Sequence, residues 1–205
     1  LYHRSIPDNP GGGTVEWTNP WGGHRYFDDI ELREDGGTPG FLQAIKAALA
    51  IRLKEDIGVS NIQMQEEILL GIAFSRMKQM KSLHLLANNL EHRLGVLSFF
   101  VEDIHYNLIV KLLNDVYGVQ VRGGCSCAGT YGHFLLHVDP NRSQRITDKI
   151  NNGDWSEKPG WVRLSLHPTM TADELNYILD AIEDIILNIA KYSKNYSYSP
   201  HTNEF

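Results

Sequence analysis

Two cysteines lie in a loop that consists almost entirely of small residues. The stretch Arg122-Gly-Gly-Cys-Ser-Cys-Ala-Gly129 places Cys125 and Cys127 one residue apart, with glycines that leave the thiols uncovered. The neighbouring Arg122 favours a thiolate over a thiol, and the thiolate is the form that a nucleophilic cysteine needs. Free cysteines are more often small buried residues, so two inert cysteines in a tight turn are the alternative.

The same cysteines begin a pattern that a metal ion could use. Cys125 and Cys127 are followed by His133 and His137 in the arrangement C-x-C-x5-H-x3-H, and the histidines share a face if this stretch is helical. Zinc binds such ligands, but structural zinc sites favour two to four residues between the cysteines. We therefore assign no metal ligand, and we keep a non-enzymatic metal or thiol module as an alternative to an enzyme.

One arginine lies in the middle of a predicted strand. Arg163 stands in the run Trp-Val-Arg-Leu-Ser-Leu over residues 161–166, which is otherwise apolar or small. An arginine in such a position must find an anionic partner or reach solvent. The guanidinium fork suits a carboxylate, which would belong either to a substrate or to an Asp or Glu of the protein.

A predicted helix start offers a possible phosphate site. In Gly36-Gly37-Thr38-Pro39, Thr38 is a good N-cap and Pro39 fits the first helical position. Free N–H groups at a helix start can hold a phosphate, and the Thr38 hydroxyl adds a donor. The simpler interpretation is that Thr38 only caps the helix.

Hydrophobic spacing and capping signals define the elements that must position these residues. Residues 1–37 are predicted to be irregular. One helix is predicted from Thr38 to Gly58 and another over 105–117. Two more are predicted to start at Ser60 and at Thr171, where Gln63 and Glu174 respectively would complete a capping box. Strands are predicted over 83–86, 94–101, 119–121 and 161–166, and 130–160 is predicted as one or two helices and a polar loop. This order predicts an α/β or α+β fold with helices packed on a short sheet.

Composition narrows the classes of function. The chain has 205 residues, of which 42% are hydrophobic and 21% charged, enough for a globular core. A net charge of −6 without a basic run argues against nucleic-acid binding and against a polybasic membrane sensor. No apolar stretch approaches the ~20 residues that span a bilayer. Two cysteines one residue apart form no disulfide framework, so we expect a reducing cytoplasm.

Five segments, taken in order, resemble the C-terminal part of a class V aminotransferase-like enzyme that depends on pyridoxal phosphate. The resemblance covers most of the chain and is closest to the group of cysteine desulfurases and selenocysteine lyases. The segments are Pro10-Gly-Gly-Gly13, Glu34-Asp-Gly-Gly-Thr38-Pro39, Arg93-Leu-Gly-Val-Leu-Ser-Phe99, Tyr117-Gly-Val-Gln-Val-Arg-Gly-Gly124 with Cys127-Ala128, and Val162-Arg-Leu-Ser165 with the capped last helix.

The resemblance implies roles for individual residues. Cys127 matches the cysteine that attacks the substrate's sulfur or selenium, and Arg163 matches the arginine that pairs with the substrate carboxylate. Arg122 matches a loop arginine that lines the same site. Thr38, with Gly37 beside it, matches the residue that reaches the cofactor phosphate of a neighbouring subunit, which implies a homodimer.

Departures from the family pattern shape the expected domain organisation. No His-Lys pair is present, so we expect the lysine that binds the cofactor to lie upstream of Leu1, and the chain to be an inactive fragment by itself. We expect residues 1–60 to end the large cofactor domain, 61–192 to form the small C-terminal domain, and 193–205 to be a flexible tail. The stretch from 139 to 160 resembles an insertion, and Cys125 stands where the desulfurase branch often has histidine.

The sequence therefore predicts a cytoplasmic, homodimeric parent enzyme that uses pyridoxal phosphate on an amino acid. Removal of sulfur or selenium by Cys127 is the first hypothesis. An aminotransferase or another lyase in which Cys127 is inert is the alternative within the same fold.

Overall fold

The computed structural model describes residues 2, 4–125 and 127–205, and it divides the chain into two units, Leu1–Ile57 and Gly58–Phe205. The first unit contains a two-stranded antiparallel hairpin and two helices. Their bounds are β1 Val15–Thr18, β2 His24–Tyr26, α1 Ile30–Glu34 and α2 Phe41–Ile57.

The hairpin and α1 correct the prediction that residues 1–37 are irregular. The turn between β1 and β2 is organised by Asn19, whose side-chain oxygen accepts hydrogen bonds from the N–H groups of Trp21 and Gly23. Asn19 also donates its own N–H to the Gly23 carbonyl. An asparagine side chain that binds nearby backbone in this way stabilises a turn, so strands of only four and three residues can pair.

Helix α2 begins later than its capping signal predicts. Its first residue is Phe41, three positions after Thr38, and the Gly40 carbonyl accepts the N–H of Ala44 at its start. The predictions that Thr38 caps this helix and that Pro39 begins it are therefore wrong. The helix ends at Ile57, and Gly58 follows in the left-handed region that favours glycine, as predicted.

The second unit contains a four-stranded sheet with helices packed against it. Its elements are α3 Val59–Met77, β3 Leu83–Leu85, β4 Val96–Val101, α4 Tyr106–Tyr117, β5 Arg122–Gly124, α5 Gly129–Leu135, α6 Pro140–Asn151, β6 Trp161–Ser165, α7 Ala172–Leu187, α8 Ile189–Tyr192 and a 3₁₀ helix, Ser193–Asn195. This arrangement confirms the predicted fold class, a short sheet with helices packed on it.

The sheet has strand order β3-β4-β6-β5, and each neighbouring pair is antiparallel. One face of the sheet carries Leu97, Phe99, Val162 and Leu164, and the hydrophobic core lies on this face. Helices α3, α4 and α7 contribute most of the other core residues, because their apolar side chains recur at helical spacing. The opposite face carries the polar side chains of β4, β5 and β6.

In the second unit, the predicted start of α7 and the predicted end of α4 are confirmed, and the predicted start of α3 is wrong. Thr171 and Glu174 form the predicted capping box at the start of α7, and Gly118 adopts the left-handed conformation at the end of α4. Helix α3 instead begins at Val59, and its N-cap Gly58 supplies no side-chain hydrogen bond, so the capping box predicted from Ser60 is absent.

The strand predicted over 119–121 lies three residues further along the chain. Strand β5 comprises Arg122–Gly124 and pairs with Trp161–Arg163 of β6. Glycines favour loops, so the sequence pattern pointed to the apolar residues before them. Pairing with β6 outweighs this preference and makes the glycine-rich stretch a strand.

The segment predicted as a flexible tail makes specific contacts in the structure. Ser199 and Glu204 form an isolated antiparallel bridge, and the Pro200 carbonyl accepts the N–H of Trp155. Asn203 is buried, with 8% of its surface exposed.

No helix within residues 2, 4–125 and 127–205 is both long enough and apolar enough to cross a membrane.

A shared carboxylate connects α4 to α7 and α8. The Tyr117 hydroxyl donates to Asp184 Oδ2 at 2.5 Å, and the Tyr192 hydroxyl donates to the same atom at 2.6 Å. These two hydrogen bonds hold the pKa of the Asp184 carboxyl below its usual range, and the bond from Tyr117 contributes most. The charged carboxylate therefore stabilises the packing of the last helices on the sheet.

Asp184→Asn should destabilise the full-length protein by about 1–2 kcal/mol at pH 7, because two hydrogen bonds lose a charged acceptor. The pKa of Asp184 is lowered on folding, so its contribution is complete above the unfolded-state pKa of about 3.9 and disappears as pH falls through the folded value. Urea unfolding at pH 7 and at pH 3 measures this difference. Glu55→Gln in α2 is the control, and a deficit of the Asp184 variant that is as large at pH 3 as at pH 7 would contradict the assignment.

Candidate active site

Two arginines lie directly opposite each other on neighbouring strands. Arg122 of β5 pairs with Arg163 of β6, and Arg163 pairs on its other side with Ser98 of β4. Directly opposed residues of antiparallel strands project to the same face, with Cβ atoms about 5 Å apart. Because Val162 and Leu164 face the core, both arginines project from the opposite face. Like charges in this position are unfavourable unless an anion is bound between or beside them.

Arg163 has no anionic partner in the part of the chain that the structure describes. Its side chain is partly buried, and its Nε atom is buried without a hydrogen-bond partner. No described carboxylate lies within ion-pair distance of its guanidinium. A buried, unbonded guanidinium N–H is costly. The sequence allowed either a substrate carboxylate or a protein Asp or Glu as the partner of Arg163. Among the described residues, no Asp or Glu takes this role.

Cys127 lies beside the first of these arginines. Its side chain is exposed, and its backbone has a φ of +64°, in the left-handed region. The Arg122 guanidinium donates through Nη2 to Cys127 Sγ at 3.8 Å. A positive charge next to sulfur stabilises negative charge on it, which is the environment of reactive cysteines. The adjoining Ser126 lies outside the described residues.

Cys125 has a different environment from Cys127. Its side chain is half-buried, and its thiol donates a hydrogen bond to the Pro159 carbonyl at 2.8 Å. Burial raises the pKa of this thiol above its usual range. A protonated thiol that binds backbone is a structural group. The structure thus separates the two cysteines into one exposed thiol beside an arginine and one thiol that holds the loop to Pro159.

The cysteines and histidines do not assemble a metal site. The two ring nitrogens of His133 bond to the Gly129 carbonyl and to the Ser143 hydroxyl, each at 2.9 Å. Cys125 is bonded to Pro159. Among the described residues, no group of three or more His, Cys, Asp or Glu side chains is arranged to hold a metal ion. The pattern C-x-C-x5-H-x3-H therefore lacks a ligand set in this fold.

The residues predicted to bind a cofactor phosphate lie in the first unit. Gly37 has a φ of +94° and donates its N–H to the Gly12 carbonyl at 2.8 Å, so this N–H is not available to a phosphate. Thr38 is exposed, and neither its hydroxyl nor its N–H has a hydrogen-bond partner in the described part of the chain. These two donors of Thr38 fit a phosphate group.

Sequence reasoning missed Tyr106, which supports the cysteine loop from below. The Tyr106 ring packs directly against Gly160 and Gly123, and a Cβ on Gly160 would lie 2.5 Å from a ring carbon. The one available signal was a glycine immediately before the cysteine loop and another immediately before strand β6. A glycine is required wherever an aromatic ring approaches the backbone this closely.

The fold and these residues agree with a match to a known family. The sequence profile of the class-V aminotransferases matches residues 3–178, and the chain belongs to that family. This confirms the resemblance that the five motifs indicated.

Within the family, the chain is similar to proteins described as cysteine desulfurases. It is 29% identical over 136 residues to the cysteine desulfurase of Haloferax volcanii, which covers 61% of this chain and 32% of that protein. It is 30% identical over 128 residues to a probable cysteine desulfurase of Staphylococcus epidermidis, which covers 62% of this chain and 30% of that protein. The chain thus spans about a third of the length of these relatives.

The fold of the chain is similar to that of solved cysteine desulfurase structures. The apo cysteine desulfurase of Thermococcus onnurineus superposes with a TM-score of 0.63 at 26% identity, over 89% of this chain and 40% of that one. The cysteine desulfurase CsdA of Escherichia coli superposes with a TM-score of 0.59 at 17% identity, over 89% and 39%, and shares the fold.

Gly160→Ala should destabilise the full-length protein by about 1–3 kcal/mol, because the added methyl group overlaps the buried Tyr106 ring. Gly129→Ala is the matched control, since a Cβ there meets nothing within 4 Å and should change stability by less than about 0.5 kcal/mol. Equilibrium unfolding in urea measures both. Equal stability of the two variants would show that the ring does not constrain Gly160.

Proposed function

We propose that the full-length protein is a cysteine desulfurase or selenocysteine lyase that uses pyridoxal phosphate. The observation that carries this proposal is the exposed Cys127 thiol beside Arg122, on the sheet face where Arg163 lacks an anionic partner. The cysteine desulfurases to which the chain is similar support it.

Arg163 binds the carboxylate of the amino-acid substrate. Its buried Nε and its terminal nitrogens offer the two parallel N–H donors that a carboxylate accepts. Arg122 adds a second positive charge on the same face and keeps its contact with Cys127. The substrate is therefore oriented with its carboxylate towards the strands and its side chain towards the loop.

Pyridoxal phosphate, when bound, withdraws electrons from the α-carbon of the amino acid and makes its neighbouring bonds labile. Thr38 would hold its phosphate through the hydroxyl and N–H donors described above, and Gly37 would shape the backbone before it. The sequence contains no His-Lys pair, so we assign the covalent lysine to a part of the protein upstream of Leu1.

Cys127 is the nucleophile. Its thiolate attacks the sulfur of the substrate cysteine, a sulfur–sulfur bond forms, and the carbon–sulfur bond breaks. The electron pair of the broken bond passes to the substrate β-carbon, which takes a proton. The products are alanine and a persulfide on Cys127.

The proposal includes a cytoplasmic homodimer. Helix α2 exposes Phe41, Leu42, Ile45 and Leu49, and an apolar surface of this kind is typical of an interface. A second subunit would cover it and would bring its cofactor to Thr38. Both cysteines are free thiols, which is consistent with a reducing compartment.

Cys127→Ala in the full-length protein should abolish persulfide formation from cysteine and should leave the visible absorbance of the bound cofactor unchanged. Cys125→Ser is the matched control, because its hydroxyl can keep the hydrogen bond to the Pro159 carbonyl while removing the second thiol. Persulfide and alanine production, with the absorbance before and after borohydride, measure the outcome. Full desulfuration by the Cys127 variant, or turnover only of other amino acids with a keto acid, would instead support an aminotransferase or another lyase with an inert Cys127.

Arg163→Gln should raise the KM for cysteine by about 10- to 100-fold, because a charged hydrogen-bond pair with the carboxylate is lost. Steady-state kinetics with cysteine and with cysteamine, which lacks the carboxylate, separate this effect from general damage. The account requires that the substitution impair cysteine turnover much more than cysteamine turnover. An unchanged KM for cysteine would refute the role of Arg163.

A further inference from the structure

We infer that the hydrogen bond between Asn203 and Tyr106 positions strand β5, which carries Arg122, and the loop after it, which carries Cys127. Asn203 and Tyr106 are therefore positioning residues for sulfur transfer. The inference rests on the proposed function of Cys127. It assigns a role in the reaction to the segment 196–205, which the sequence predicted to be a flexible tail.

Asn203 is held in place by all of its polar groups. Its side-chain amide donates to the Tyr106 hydroxyl at 2.8 Å, and its side-chain oxygen accepts from the Tyr198 hydroxyl at 2.9 Å. Its backbone carbonyl accepts from the side-chain amide of Asn107. Its backbone lies in the left-handed region, where asparagine is one of the few residues that settle without strain. An asparagine that is buried and fully bonded in this way has a single orientation.

Tyr106 transmits this orientation to the backbone of two strands. The ring is buried, and a Cβ on Gly160 would lie 2.5–2.8 Å from three of its carbons. A Cβ on Gly123 would lie 3.1 Å from the same ring and 2.6 Å from Asn107 Oδ1. The Tyr106 ring and the Asn107 side chain therefore pack against the backbone of β5 and of the residue that precedes β6. We call these two side chains the floor.

Both segments on this floor lead directly to the reactive groups. Gly123 follows Arg122 in β5, and the cysteine loop begins two residues later. Gly160 follows Pro159, whose carbonyl holds the Cys125 thiol. If the Tyr106 ring changed its orientation, Arg122 would move relative to Cys127. The hydrogen bond between Arg122 Nη2 and Cys127 Sγ, at 3.8 Å, would then be lost or weakened.

Arg163 depends less on this floor. It lies in the third position of β6 and is paired with β4 through Ser98 as well as with β5. Loss of the Asn203–Tyr106 bond should therefore slow sulfur transfer and leave substrate binding nearly unchanged.

The test uses Tyr106→Phe, Asn203→Ala and the double variant of the full-length protein with cofactor bound. Tyr106→Phe keeps the ring and removes only the hydroxyl, so it remains informative if Asn203→Ala fails to fold. Tyr196→Phe is the matched control, because it removes a hydrogen bond from the same segment to Asp115 and not to the loop. The readouts are kcat and KM for cysteine, and the rate at which iodoacetamide alkylates Cys127 in a Cys125→Ser background, which can keep the hydrogen bond to the Pro159 carbonyl.

Tyr106→Phe and Asn203→Ala should each lower kcat about tenfold with KM changed less than about twofold, and the double variant should be no worse than either single one. Both should also change the alkylation rate of Cys127, and Tyr196→Phe should change neither quantity. The alkylation rate needs no substrate, so it tests the positioning even if cysteine is not desulfurated and the proposed function fails. Rates equal to those of Tyr196→Phe in both readouts would overturn the inference.

Discussion

The chemistry of the candidate site depends on two positive charges, Arg122 and Arg163, which lie opposite each other on neighbouring strands. Val162 and Leu164 face the core, so Arg163 and the Arg122 that is paired with it project from the opposite face of the sheet. Mutual repulsion and the buried, unbonded Nε of Arg163 both oppose this arrangement. An anionic group bound there would reduce the repulsion between the arginines and would also give the Arg163 Nε a hydrogen-bond acceptor. Under the proposed function, the substrate carboxylate is the group that would be bound there.

The loop after β5 places a thiol next to this charged pair. Cys125 and Cys127 are one residue apart and have opposite environments, because one is bonded to the Pro159 carbonyl and the other lies exposed beside Arg122. The protonated thiol anchors the loop and leaves the exposed one free to react. The Tyr106 ring leaves no space for a Cβ at Gly123 and Gly160, so these two positions require glycine.

Local signals predicted much of this fold, and contacts between distant segments could not be predicted. The capping box at Thr171 and the glycine at 118 are visible in sequence, since a cap involves residues three or four positions apart. The unusual position of Arg163 was also visible, because one charge interrupts an apolar strand. Nothing local indicated that Asn203 bonds to Tyr106, 97 positions away. A one-dimensional pattern of small polar residues predicts a tail, and only the three-dimensional packing shows that Asn203 is buried and bonded.

The most direct test of the central claim is the crystal structure of the full-length Cys127→Ala protein with cofactor and cysteine bound. The account predicts that a carboxylate oxygen of the substrate lies about 3 Å from Arg163 Nε, with the substrate sulfur directed to position 127. A carboxylate bound elsewhere, with Arg163 still without an anionic partner, would contradict it.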